Sequence, residues 1–104
     1  METFHIRAVA TDDTYTLRLA GEADLAVADD VVAHGIAGLE DVAMQNLVID
    51  LADVTFVDST VLGSLVKLSV QAEHRTKAFA LVNVPDRVQR TLTISGLDSL
   101  FTIS

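Results

Sequence analysis

Between Leu47 and His74 the chain changes its hydrophobic period once, and that change leaves few folds open. LVIDL (47–51) is a near-continuous aliphatic run, the signature of a strand covered on both faces. Ala52-Asp53 interrupt it, and VTFV (54–57) brings the chain to a polar triplet, Asp58-Ser59-Thr60. From there the polar positions fall at 60, 64, 67, 71 and 74, which predicts a helix with one exposed stripe. Leu62, Leu65, Val66, Leu68 and Ala72 make the remaining surface apolar, so that helix is buried on most sides.

The flanking segments extend the pattern. FHIRAVA (4–10) and YTLRLA (15–20) alternate apolar with polar, the period of strands with one wet face, and Thr11-Asp12-Asp13-Thr14 has hairpin-turn chemistry. Gly21 breaks the second strand and Asp24 can cap the next helix. Ala28, Val32, Ile36, Leu39 and Ala43 recur at helical spacing, with Gly35 and Gly38 interrupting the regularity. AFALVN (78–83) reads as a strand, and Pro85 suits the first turn of a helix that carries Val88 and Leu92 and stops at Gly96. Phe101 and Ile103 in the closing segment are expected to pack on the core.

A hairpin followed by two βα units implies a mixed sheet, because parallel strands require helical crossovers of fixed hand. Strands ending at Ala20, near Val57 and at Asn83 would then share one C-terminal edge, gathering GEAD (21–24), DST (58–60) and the Asn83–Pro85 turn. Sites in open sheets commonly sit at that edge.

Composition narrows the function. The length suits a single domain, residues 1–104, with an aliphatic core: half the residues are hydrophobic and 5% aromatic. A formal charge of −8 with seven scattered Lys and Arg excludes a protein that neutralises nucleic-acid phosphates. The absence of Cys removes disulfides, thiol switches and Cys-bound metals. METFHIRAVA lacks the basic and apolar regions of a signal peptide, and no run is long enough to insert in a membrane, so a cytoplasmic location is expected.

Any of Asp58, Ser59 and Thr60 can cap the helix by accepting hydrogen bonds from its first-turn N–H groups. The same helix start favours negative charge, so a phosphoryl group on a hydroxyl there is accommodated. No cofactor or metal site is expected: His5, His34 and His74 lack ligand spacing, and no G-x-S-x-G elbow accompanies Ser59, so catalysis is not expected. LVIDLADV also resembles the phosphoacceptor strand of receiver domains. The acidic pair and late Lys of that fold are missing, and Asp50 is read instead as a strand residue bonded to nearby backbone.

GEADLAVADDVVAHGIAGL, LVIDLADVTFVDSTVLGSLVKL and ALVNVPDRVQRTLTISGLDSLFTI together resemble the STAS domain, shared by sulfate transporter tails and bacterial anti-sigma factor antagonists. The resemblance runs from about Thr14 to Ile103 and implies an α/β fold, a mixed sheet with an N-terminal hairpin and parallel strands covered by amphipathic helices. It further implies that Ser59 is phosphorylated by an anti-sigma factor Ser/Thr kinase and dephosphorylated by a separate phosphatase. Unphosphorylated protein would bind the kinase and free its sigma factor.

Carried over residue by residue, Asp58 matches the family's acid, Ser59 its phosphoacceptor, Thr60 the following hydroxyl, and Leu62 and Gly63 the helix start. Glu22 and Asp24 match a Gly-Glu-x-Asp loop that faces partners, while Thr60, Ser64, Lys67 and Gln71 form the stripe a partner would grip. Val61 stands where many relatives have Gly, and its branched side chain is expected to limit the approach of a kinase loop. A different use of the same fold is a constitutive scaffold of a stress-sensing complex, or the cytoplasmic subunit of a transport system, with Ser59 serving only as a cap.

Overall fold

The computed structural model describes residues 3–104. β1 (His5–Thr11) and β2 (Thr14–Ala23) form an antiparallel hairpin whose turn places Asp12 in the left-handed region at φ 55°, a conformation that Asp tolerates. β3 (Asn46–Val57), β4 (Ala78–Val82) and β5 (Thr102–Ile103) add in chain order, and β2 to β5 are mutually parallel. The crossovers are α1 (Ala28–Glu40), α2 (Ser59–His74) and α3 (Asp86–Ile94), with 3₁₀ turns at Leu25–Val27 and Asp98–Leu100. This is the mixed α/β sheet that the sequence implies.

Because each new strand joins on the same side of the last, right-handed crossovers carry all three helices to one face of the sheet. Leu17, Leu19, Leu47, Ile49, Leu51 and Leu81 of the sheet join Val31, Leu65, Leu68, Val88 and Leu92 of the helices in one core. The expectation that residues 47–51 are covered on both faces is therefore corrected: Val48 and Asp50 are only half-buried, on the face without helices. Asp50 there accepts from the Ala52 N–H at 3.0 Å and lies 3.9 Å from Arg18. At Ala52-Asp53 the strand bulges rather than stops, since the pairing with β2 moves from Arg18↔Asp50 to Ala20↔Asp53.

α1 presents a different stripe from the one its spacing suggests. The buried positions are Ala28, Val31, Gly35, Gly38 and Leu39, while Val32 and Ile36 are half-buried and Ala43 lies beyond the helix. The two glycines are the reason. A Cβ at Gly35 would collide with the Leu68 side chain of α2, and one at Gly38 with the Tyr15 ring of β2. Their missing side chains let α1 approach both neighbours closely, and this close contact selects the face.

The C-terminal end of α1 is closed by a residue of the next crossover. Lys77 Nζ donates to the Leu39 carbonyl at 2.8 Å and the Asp41 carbonyl at 2.9 Å, placing a cation where the helix carbonyls lack partners. α3 starts one residue after Pro85, which serves as its N-cap. It ends at Ile94, and just beyond it Gly96, at a φ of 73°, lets the Leu97 N–H reach the Leu92 carbonyl at 2.9 Å.

Two glycine substitutions should act in opposite directions. For Gly38→Ala the overpacking cost, about 1–3 kcal/mol, sits against a ring and outweighs a helix-propensity gain of about 1 kcal/mol, so the urea midpoint should fall. Gly63→Ala in α2 adds a Cβ that meets nothing within 4 Å, so only the propensity gain remains and the midpoint should rise. Shifts of the same sign would contradict this packing. Lys77→Met should destabilise by about 1–2 kcal/mol, read from the same unfolding curves.

Candidate functional site

The ends of β2 and β3 lie side by side, with Glu22 opposite Phe56 and Ala23 opposite Val57. The next residue of β3, Asp58, ties the two loops together by donating its N–H to the Ala23 carbonyl at 3.1 Å. The Gly-Glu-x-Asp loop and the polar triplet therefore form one rim.

Asp58 also starts α2. Its extended backbone and half-buried carboxylate place Oδ1 3.0 Å from the Val61 N–H, and its carbonyl accepts the Leu62 N–H at 3.1 Å. Of the three residues able to cap, Asp58 is the one that does. Ser59 is the first helical residue, exposed, and its hydroxyl has no hydrogen-bond partner among the described residues. Thr60 beside it is exposed as well. The N–H groups of Ser59 and Thr60 precede the first intrahelical bond and point out of the helix start.

Glu22 is exposed and its carboxylate makes no ion pair or hydrogen bond among the described residues. Asp24 caps the turn at Leu25–Val27 by accepting from the Ala26 N–H at 3.0 Å, and it stays exposed. Five acidic or hydroxyl side chains thus share the rim: Glu22, Asp24, Asp58, Ser59 and Thr60.

Two residues expected on the partner-facing surface are not there. Ser64 is 6% exposed, and its hydroxyl lies 3.1 Å from the Ala28 carbonyl and 3.3 Å from that of Thr60. Its polarity is satisfied internally, and it fastens the start of α1 to the first turn of α2. Val61 is 1% exposed and belongs to the core, so its branched side chain does not stand in the way of an approaching loop. Gln71, half-buried, holds Arg75 at 2.8 Å.

The wet stripe of α2 is consequently Thr60, Gly63, Lys67, Val70 and His74, with Gly63 and Val70 in place of Ser64 and Gln71. Gly63 has no packing reason to be glycine. Its side is open, with nothing within 4 Å of where a Cβ would stand.

The third loop falls short of the rim. β4 pairs with β3 only as far as Asp50↔Val82, so the Asn83–Pro85 turn leaves the sheet well before Val57. Arg87 of α3 instead meets the end of β3, donating from Nη1 to the Thr55 carbonyl at 2.9 Å. Two exposed apolar residues at this end, Leu25 at 69% and Phe56 at 46%, carry little signal in the sequence. A second register shift, between Gly21 and Glu22, turns Phe56 outward although Val54, two residues earlier, is buried.

No group of three or more His, Cys, Asp or Glu among the described residues could hold a metal ion. No helix among them is long and apolar enough to cross a membrane.

Solved structures share this fold. The chain is 24% identical over 100 residues to the anti-sigma-B factor antagonist of Staphylococcus epidermidis, covering 96% of this chain and 92% of that protein. Its fold superposes on the phosphorylated form of the Bacillus cell fate determinant SpoIIAA with a TM-score of 0.73 at 20% identity, over 98% of this chain and 91% of that one. RsbS of Moorella thermoacetica, in a form carrying a serine-to-glutamate substitution, matches with a TM-score of 0.80 at 26% identity, over 95% and 85%. The STAS domain family model matches residues 5–104, and the chain belongs to that family.

Proposed function

We infer that the protein is an anti-sigma factor antagonist whose partner binding is switched at Ser59. In the unphosphorylated state the rim binds an anti-sigma factor Ser/Thr kinase, and the sigma factor is freed. Transfer of a phosphoryl group from ATP to Ser59 ends that binding, and a phosphatase acting on phospho-Ser59 restores it. The similarity to anti-sigma factor antagonists, one of them described in a phosphorylated form, supports this reading.

The observation that carries it is the division of labour at the start of α2. Asp58 caps the helix, so the exposed Ser59 hydroxyl has no structural duty. Phosphate adds about −1.5 to −2 charge, and it would sit where free N–H groups and the helix dipole accommodate an anion. The backbone need not move. What changes is the charge of a rim that already carries Glu22, Asp24 and Asp58. One new charge about 5 Å from a partner's acidic group would cost on the order of 3 kcal/mol at an effective dielectric near 20, less after screening. Half of that shifts affinity about tenfold.

With ATP, Mg²⁺ and a candidate kinase, wild-type protein should gain one phosphate by intact mass, mapped to Ser59. Ser59→Ala should bind the kinase and gain none, and Ser59→Asp should bind about tenfold more weakly. Equal affinities of the two variants, or a chain that binds its partner and never acquires phosphate, would instead indicate a constitutive scaffold or a transporter subunit. Gly63→Gln should fold normally yet weaken kinase binding, because it fills the open approach on α2; unchanged affinity would remove Gly63 from the interface.

A further inference from the structure

Where β3 outruns β4, its last residues stay paired with β2 on one side, and on the other side α3 lies against them where β4 has ended. Between the two is a cavity of about 160 Å³ lined by Phe56, Val57, Arg87, Val88 and Thr91. Val88 is 1% exposed, Val57 is half-buried and Phe56 is 46% exposed, so the cavity has an apolar floor and an aromatic lip open to solvent. Apolar cavities of similar volume, about 150 Å³, accept a group the size of benzene.

Arg87 gives the socket a charge. One guanidinium nitrogen is held by the Thr55 carbonyl at 2.9 Å, and the group has five N–H donors in all. Among the described residues no carboxylate lies in ion-pair contact with it. α3 is the one helix of the three with a positive balance, Arg87 and Arg90 against Asp86; α1 carries Asp29, Asp30 and Glu40 with no Lys or Arg, and in α2 Lys67 balances Glu73. On a chain of net charge −8 this is a local exception.

The socket is also continuous with the rim. Phe56 lies opposite Glu22, and Val57 is joined to Ser59 through Asp58.

We propose that this socket is a second docking point for the kinase partner, taking a segment in which an apolar side chain is followed by a carboxylate. The apolar group enters between Phe56 and Val88, and the carboxylate meets Arg87. In naming the kinase as the source of that segment, the proposal rests on the function inferred above. The geometry of the socket does not. It is a site that grips without reacting, so that affinity is not carried by the Ser59 surface alone.

The test has two arms. In the first, ¹⁵N-labelled protein is titrated with N-acetyl-Leu-Asp amide and with N-acetyl-Leu-Lys amide. Saturable amide shifts centred on Phe56, Arg87, Val88 and Thr91 are expected with the first peptide and weaker ones with the second. Thr91→Trp, which fills the cavity, should abolish them, and Arg87→Gln should erase the preference for Asp; the spectra themselves report whether each variant is folded. Shifts that do not saturate, or that survive both substitutions, overturn the socket.

In the second arm both variants are assayed with the kinase. Each should weaken binding about tenfold while Ser59 is still phosphorylated at saturating kinase. Undiminished affinity would overturn the assignment to the kinase. Peptide binding without any phosphorylation of wild-type Ser59 would count against the switch and leave the socket standing.

Discussion

The structure turns on Asp58. Its N–H closes onto β2, its carbonyl opens the hydrogen-bond ladder of α2, and its carboxylate satisfies an N–H that the helix start would otherwise leave bare. One residue thus fixes the end of β3, the loop after β2 and the direction of α2. Ser64 adds a second tie one turn later, joining the start of α1 to the same helix. Asp58 and Asp24 do the capping at the rim, which leaves the side chains of Glu22 and Ser59 without a bond among the described residues.

That separation recurs in the glycines. Gly35 and Gly38 are small because α2 and the Tyr15 ring need the space, and they determine which face of α1 meets the core. Gly63 is small with nothing nearby. A glycine inside a helix weakens it, and at Gly63 no internal contact requires one.

The strand, polar triplet and helix between Leu47 and His74 are legible in the sequence because each has a clear period, and the hairpin is legible because its turn residues sit between two alternating runs. The juxtaposition of the Glu22 loop with Ser59 follows from the parallel order of the strands. Finer placements are not legible, for identifiable reasons. A serine at the edge of a polar stripe looks exposed until a carbonyl from another helix is available to it, as Ala28 is to Ser64. Likewise, three adjacent capping residues cannot be ranked without backbone angles, and two register shifts in β3 defeat the alternation that would otherwise place Phe56. In α1, two of the five buried positions are glycines, so the buried face gives a weaker hydrophobic signal than the stripe of larger residues beside it.

Because the helix start is secured one residue earlier, the identity of residue 59 is thermodynamically almost silent. Variants there would be made, folded and retained in the cell at ordinary abundance, and a screen that scores melting or expression would pass over them. Selection on folding alone would therefore leave residue 59 largely free to vary.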